Sequence, residues 1–232
     1  MKILVVNPNS TRSMTEKIGA SAAAVAARGT EIVAVNPEDA PRSIEGHYDE
    51  AMCLPGLLDE VRKGEAAGFQ GYVVACFDDP GVGACREIAR GPVVGICEAA
   101  MLTASIIATG FTVVTTLARA IPVVEELALR YGMERRCRRV RAAEIPVLAL
   151  EEPGGDARAK VRDEVLRAVA EDGSEAVILG CAGMADLTAW LSQETGVPVI
   201  DGVVAGVKLI EALVGAGLAT SKAGAYAAPL AK

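Results

Sequence analysis

Two cysteines stand at the exits of short apolar runs: Cys76 in "VVACFDDPG" (73–81) and Cys181 in "VILGCAG" (177–183). A free thiol titrates at about 8.5, near working pH, and its pKa shifts readily, so it can take or give a proton. Two thiols on opposite sides of one carbon can remove a proton from one face and deliver one to the other. That is racemisation or epimerisation without a cofactor. "DPG" (79–81) and "AGMADL" (182–187) both read as helix starts directly after the cysteines. A helix N-terminus there favours thiolate, whereas the carboxylates of Asp78 and Asp79 push Cys76 towards neutral thiol. The residues leave that balance open and permit one thiolate and one thiol at rest.

The rest of the composition narrows the alternatives. No CxxC pair occurs and His47 is the sole histidine among 232 residues, so no metal is expected. Cys53, Cys85 and Cys137 fall inside helix- or strand-like patterns and read as small buried hydrophobes. Net charge is −7, and the short basic run "RRCRRV" (135–140) reads as a solvated surface or an interface rim. Nucleic acid is therefore not an expected partner. The N-terminal apolar run is too short for a secretory signal, which points to the cytoplasm and to reduced thiols. Residues 99–118 carry no charge, but their threonines and Gly110 read as helix, turn and buried strand rather than a membrane span.

Positioning two distant cysteines requires a repeated scaffold. Apolar runs at 2–6, 31–35, 71–75, 92–96, 111–115, 176–180 and 198–200 have strand character. Between them, 12–28, 50–66, 119–131, 157–171 and 203–215 carry apolar residues at helical spacing. Alternating strands and helices, with strands apolar on both faces, predict an α/β fold: parallel sheets flanked by helices. Half the residues are apolar and only 3% aromatic, which suits close-packed helices on such sheets. The order also echoes itself. A strand, a polar loop and a helix open each half ("NPNST" at 7–11, "TTLAR" at 115–119), and a strand ending in a cysteine follows later in each. This predicts two similar lobes.

Ligands of open α/β sheets bind beyond the carboxyl ends of the strands. The strand exits therefore supply the candidate site: Cys76 and Cys181 as acid/base pair, with Asn9, Ser10, Phe77, Asp78, Thr115, Thr116, Ala182 and Gly183 around a small-molecule substrate. Loop N–H groups and the side chains of Asn9, Ser10, Thr115 and Thr116 could hold substrate oxygens and a developing enolate. The same hydroxyls could equally cap the helices that follow them, and Asn7 could merely organise its turn.

These motifs, taken in order, resemble the aspartate/glutamate/hydantoin racemase superfamily, within it the hydantoin and allantoin racemases. The likeness runs over essentially the whole chain. It is carried by "ILVVNPNST", "SIEGHYDEA" (43–51), "ACFDDPG", "GICEAAM" (95–101), "LGCAGM" (179–184) and "GVPVIDGV" (196–203). The resemblance implies two pseudo-twofold-related α/β lobes with the active site between them, residues 1–97 plus 205–232 and residues 98–204. It implies catalysis by Cys76 and Cys181 without metal or pyridoxal phosphate, and a homo-oligomer. Amino-acid racemases of the superfamily tend to read C-N-T and G-C-T at the two cysteines. Phe77-Asp78 and Ala182-Gly183 depart from that, favouring a cyclic ureide over a free amino acid. Cys97 stands where glycine is common in the subgroup and reads as buried filler. The "SIEGHYDE" loop is expected to close over the substrate's 5-substituent with Ile44, His47 and Tyr48, anchored by Glu45 and Asp49. An amino-acid racemase, a maleate isomerase, an arylmalonate decarboxylase and a non-catalytic binding protein stay open as alternatives.

Overall fold

The computed structural model describes residues 1–152 and 155–230. The first half runs β1 (Lys2–Val6), α1 (Arg12–Val25), β2 (Glu31–Val35), α2 (His47–Ala66), β3 (Gly71–Val74), α3 (Val82–Ile88), β4 (Val93–Gly95) and α4 (Ile96–Ile107). The second runs β5 (Phe111–Thr115), α5 (Ile121–Arg130), β6 (Cys137–Ala142), α6 (Ala157–Asp172), β7 (Ala176–Leu179), α7 (Thr188–Thr195), β8 (Val199–Asp201) and α8 (Gly202–Gly215). Two four-stranded sheets result, ordered β2-β1-β3-β4 and β6-β5-β7-β8, with every ladder parallel. The α/β fold with a repeated unit is as the periodicity predicts.

Strands β3, β4, β5, β7 and β8 are buried along their whole length, because helices cover both faces of each sheet. Their continuous Val, Ile and Leu runs follow from that. Outer strands β2 and β6 are more exposed. The last helix of each half reaches across: α8 packs on β3 and β4, while α4 packs on β7 and β8, and the two helices pack on each other. Gly202 permits this crossing, since a Cβ there would lie 2.5 Å from the carbonyl oxygen of Ile96.

Two elements differ from the sequence expectation. The run at 135–140 is not only surface: it enters edge strand β6, which apolar patterning could not reveal because arginines fill it. Arg138 and Arg139 are indeed exposed. The neighbouring Arg141, however, turns under the sheet to bind Asp172 at 2.6 Å through two nitrogens, Glu171 at 2.8 Å and Glu164 at 3.1 Å. Helix α2 starts at His47, three residues earlier than its apolar spacing suggests, and tolerates Pro55 within it. The uncharged stretch 99–118 divides into α4 and β5, and among the described residues no helix is long and apolar enough to cross a membrane.

Candidate functional site

Each sheet changes strand direction of growth at its first strand, so the crevices lie between the ends of β1 and β3 and of β5 and β7. The four exits meet in one small cleft. Cys76 and Cys181 both line it, together with Asn9, Phe77, Asp78, Thr115, Thr116 and Ala182. Ile44 and Glu45, from the loop before α2, line it as well. Apolar walls with a few polar groups suit a small, partly polar ring.

The loop after β1 is held by its own amides. Asn7 is fully buried; its Nδ2 donates to Asn9 Oδ1 and to Thr15 Oγ1, both at 3.0 Å, and its Oδ1 accepts the Asn9 N–H at 3.3 Å. Asn7 is thus the turn organiser. Asn9 Oδ1 also accepts the Thr11 N–H at 2.9 Å; its Nδ2 donates one hydrogen to the Met14 sulfur at 3.3 Å and has a second to offer at the cleft. Thr11 occupies the N-cap position of α1, but its hydroxyl donates to the Arg42 carbonyl at 2.6 Å and so ties down the next loop instead of capping the helix.

Four expected residues sit elsewhere. Ser10 lies outside the cleft, with its N–H given to the Pro41 carbonyl at 2.9 Å. His47 and Tyr48 begin α2 directly after the N-cap Gly46, and the helix geometry turns both outward; Tyr48 is 76% exposed. His47 Nδ1 stands 3.5 Å from Glu50 Oε1 rather than over the cleft. Gly183 has no side chain to line the wall, yet its N–H points at the Cys181 sulfur. The anchors behave as the loop reading expected. Glu45 Oε1 accepts the Val147 N–H at 2.8 Å, and Asp49 Oδ2 accepts the Glu45 N–H at 3.1 Å.

Sequence reasoning did not find Met14, Leu117, Ala120 and Val147, which line the cleft as well, alongside Ala75 and Gly180 just before the two cysteines. Met14 carried a usable signal, one turn into the helix that follows "NPNST". Leu117, Ala120 and Val147 come from irregular segments whose path only the tertiary packing sets.

The two thiols have matching surroundings. The Asp78 N–H faces the Cys76 sulfur as the Gly183 N–H faces Cys181, each from two residues on. Burial outweighs these donors. It pushes Cys76 well above the ordinary thiol range, with the nearby Asp78 carboxylate adding to the rise. Burial pushes Cys181 up to about 11, restrained by the Gly183 N–H and the Lys17 ammonium. Lys17 reaches this side from α1, bonded to Glu151 at 2.7 Å. Cys181 thus has a cation nearby that favours its thiolate, whereas the charge bearing on Cys76 is the Asp78 carboxylate. Burial also lifts Asp78 to about 7, with Glu50 raising and His47 lowering it.

Asp79 does not act on Cys76 as expected. Its carboxylate turns away to the start of α4, where it bears on Cys97. Cys97 itself is fully buried in the core, as filler would be. All six cysteines are free thiols, and no three His, Cys, Asp or Glu side chains among the described residues are grouped to hold a metal.

Comparison with known proteins places this architecture. A family model described as Asp/Glu/hydantoin racemase matches residues 3–210. The chain is 55% identical over 232 residues to a hydantoin racemase of Rhizobium meliloti, spanning all of this chain and 96% of that one. Among solved structures, an allantoin racemase from Klebsiella pneumoniae superposes with a TM-score of 0.99 at 52% identity, covering 100% of this chain and 95% of the other. An allantoin racemase from Pseudomonas fluorescens gives 0.96 at 40% identity, covering 100% and 98%.

Proposed function

The chain belongs to the Asp/Glu/hydantoin racemase family, and from that premise we propose that it racemises the C5 carbon of a hydantoin-type cyclic ureide by a cofactor-independent, two-thiol mechanism. Racemase activity itself follows from the relatives; the substrate class and the roles of the residues are the reading offered here. One observation carries it: two thiols from equivalent strand ends of the two sheets line one small cleft, each with a backbone N–H aimed at its sulfur.

For one enantiomer, the Cys181 thiolate removes the C5 proton and leaves an enolate at the adjacent ring carbonyl. The Cys76 thiol then donates its proton to the opposite face of C5. For the mirror substrate the roles exchange. The Asn9 amide and the Thr116 hydroxyl stand on the cleft wall as donors to ring oxygens, the Thr115 hydroxyl beside them donating to the Gly180 carbonyl at 3.4 Å, and Phe77, Ala182 and Ile44 supply its apolar parts. Donors already fixed in a water-poor cleft stabilise the enolate without reorganising.

The same reading divides the chain into residues 1–97 plus 205–232 and residues 98–204. Its support is the packing of α8 on β3 and β4; positions 231–232 lie outside the described residues. A cytoplasmic setting, which keeps thiols reduced, and assembly into a homo-oligomer belong to it as well. Exposed Ile106, Ile107 and Leu129 are apolar surface that assembly would cover.

The test is proton NMR in D2O on single enantiomers of 5-benzylhydantoin and of allantoin, under reducing conditions and with the uncatalysed exchange subtracted. Enzyme-dependent loss of the C5 proton signal, matched by loss of optical activity, is expected for at least one ring. The faster substrate identifies the branch. No exchange in either would reject the cyclic-ureide assignment.

A further inference from the structure

Asp79 is 3% exposed and sits at φ +45°, in the left-handed region that aspartate tolerates better than most residues. Its N–H donates to the Cys76 carbonyl at 3.1 Å and closes the turn Cys76–Phe77–Asp78–Asp79. Its carboxylate leaves the cleft entirely. Oδ1 accepts the Cys97 N–H at 3.0 Å, and Oδ2 accepts the Glu98 N–H at 2.9 Å and the Tyr131 hydroxyl at 2.8 Å. The two N–H groups are free donors of the first turn of α4. Tyr131 ends α5, which belongs with the second sheet.

The space for this carboxylate is built in. Gly95 has no side chain where the group sits, and a Cβ there would lie 2.1 Å from Asp79 Cγ. Through one side chain, the turn that carries Cys76 is thus joined to α4, which packs on β7, the strand leading to Cys181, and to α5. Among the described residues the Cys181 side has no equivalent device: its turn runs straight into a short 3-10 segment, Ala182–Leu187, and α8 is capped by its own Asp201 at 2.7 Å.

We propose that Asp79, clamped by the Tyr131 hydroxyl, is a positioning residue that fixes the Cys76 thiol against Cys181 across the cleft. The proposal rests on the reading of Cys76 as one of two proton-transfer groups. Proton transfer on opposite faces of one carbon depends on the relative placement of both sulfurs, and a displacement of about 1 Å can cost on the order of 100-fold in rate. Neither Asp79 nor Tyr131 lines the cleft, and the Cys76 turn is the segment of the cleft wall that adjoins Asp79 directly.

The test uses Tyr131→Phe, which removes one oxygen and keeps the ring, and Asp79→Asn, which keeps the shape and the tolerance of positive φ. Two quantities are read: kcat and KM for racemisation, and iodoacetamide alkylation rates at Cys76 and Cys181, separated by peptide mass. Tyr131→Phe is expected to lower kcat roughly 10-fold with KM within about 2-fold, and Asp79→Asn to lower kcat further. The Cys76:Cys181 alkylation ratio is expected to change through Cys76 alone. An unchanged ratio overturns the proposal whether or not kcat falls. An unchanged kcat overturns it too, as does an equal change at both thiols with a lowered Tm, the mark of a merely structural loss. If Asp79→Asn does not fold, Tyr131→Phe decides. Alkylation needs no turnover, so failure of the two-thiol reading, shown by a Cys76→Ser variant that still racemises, is distinguishable from failure of the positioning role.

Discussion

Cys76 and Cys181 differ in what surrounds them, and the difference has kinetic consequences. Asp78 raises both thiols, while Lys17 lowers Cys181. Converting Asp78 to Asn removes a negative charge without much change of shape. The acidic limb of kcat/KM should then move to lower pH by about half a unit to one unit. A profile that stays in place would show that the Asp78 charge does not govern thiolate formation. Cys76→Ser and Cys181→Ser should each lower racemisation by at least about 1,000-fold with an unchanged circular dichroism spectrum, because a hydroxyl is far too weak an acid to replace either partner. Substantial activity in either variant would remove the two-base mechanism.

At the scale of elements, two contacts hold the sheets and helices in register. Arg141, almost wholly buried on β6, gathers Asp172 and Glu171 at the C-terminal end of α6 and Glu164 from its middle. Arg141→Leu strands the buried carboxylate of Asp172 and should cost about 3 kcal/mol, measured by urea unfolding. A change within about 0.5 kcal/mol would mean that the cluster relaxes into solvent. The second contact is the crossing of α4 and α8. A methyl at Gly202 would press on the Ile96 carbonyl, so Gly202→Ala should destabilise by about 1–3 kcal/mol. Its effect on activity should exceed its effect on Tm, since Ile96 adjoins the α4 turn that receives Asp79.

The whole molecule carries buried acids whose titration opposes the usual pH trend. Burial lifts Asp78 and Asp79 to about 7 and Asp201 to about 6, from an ordinary value of 3.8. Each binds a proton more tightly folded than unfolded, so stability falls as pH rises from about 4 to about 7. Asp172, Glu171, Glu175 and Glu211 are lowered instead, and what they contribute is lost as pH falls through the carboxylate range. Together these predict a Tm maximum near about pH 5, with lower values at pH 8 and at pH 3. A Tm that climbs steadily to pH 8 would contradict it. Much of this protein was legible in its residues. Short apolar runs alternating with segments of helical spacing read as strands with helices between them, so parallel sheets were readable, and turn residues at strand ends marked Cys76 and Cys181. Patterning is local, however, and could not report contacts between segments far apart in the chain. It could not show that arginine-filled β6 forms an edge, that His47 and Tyr48 face outward once Gly46 starts the helix, or that Val147 closes the cleft. Nor could it show that neighbouring Asp78 and Asp79 point opposite ways, one into the cleft and one to the first turn of α4. A positive φ at Asp79, held by donors from two other elements, decides that, and only the assembled tertiary structure brings those donors together.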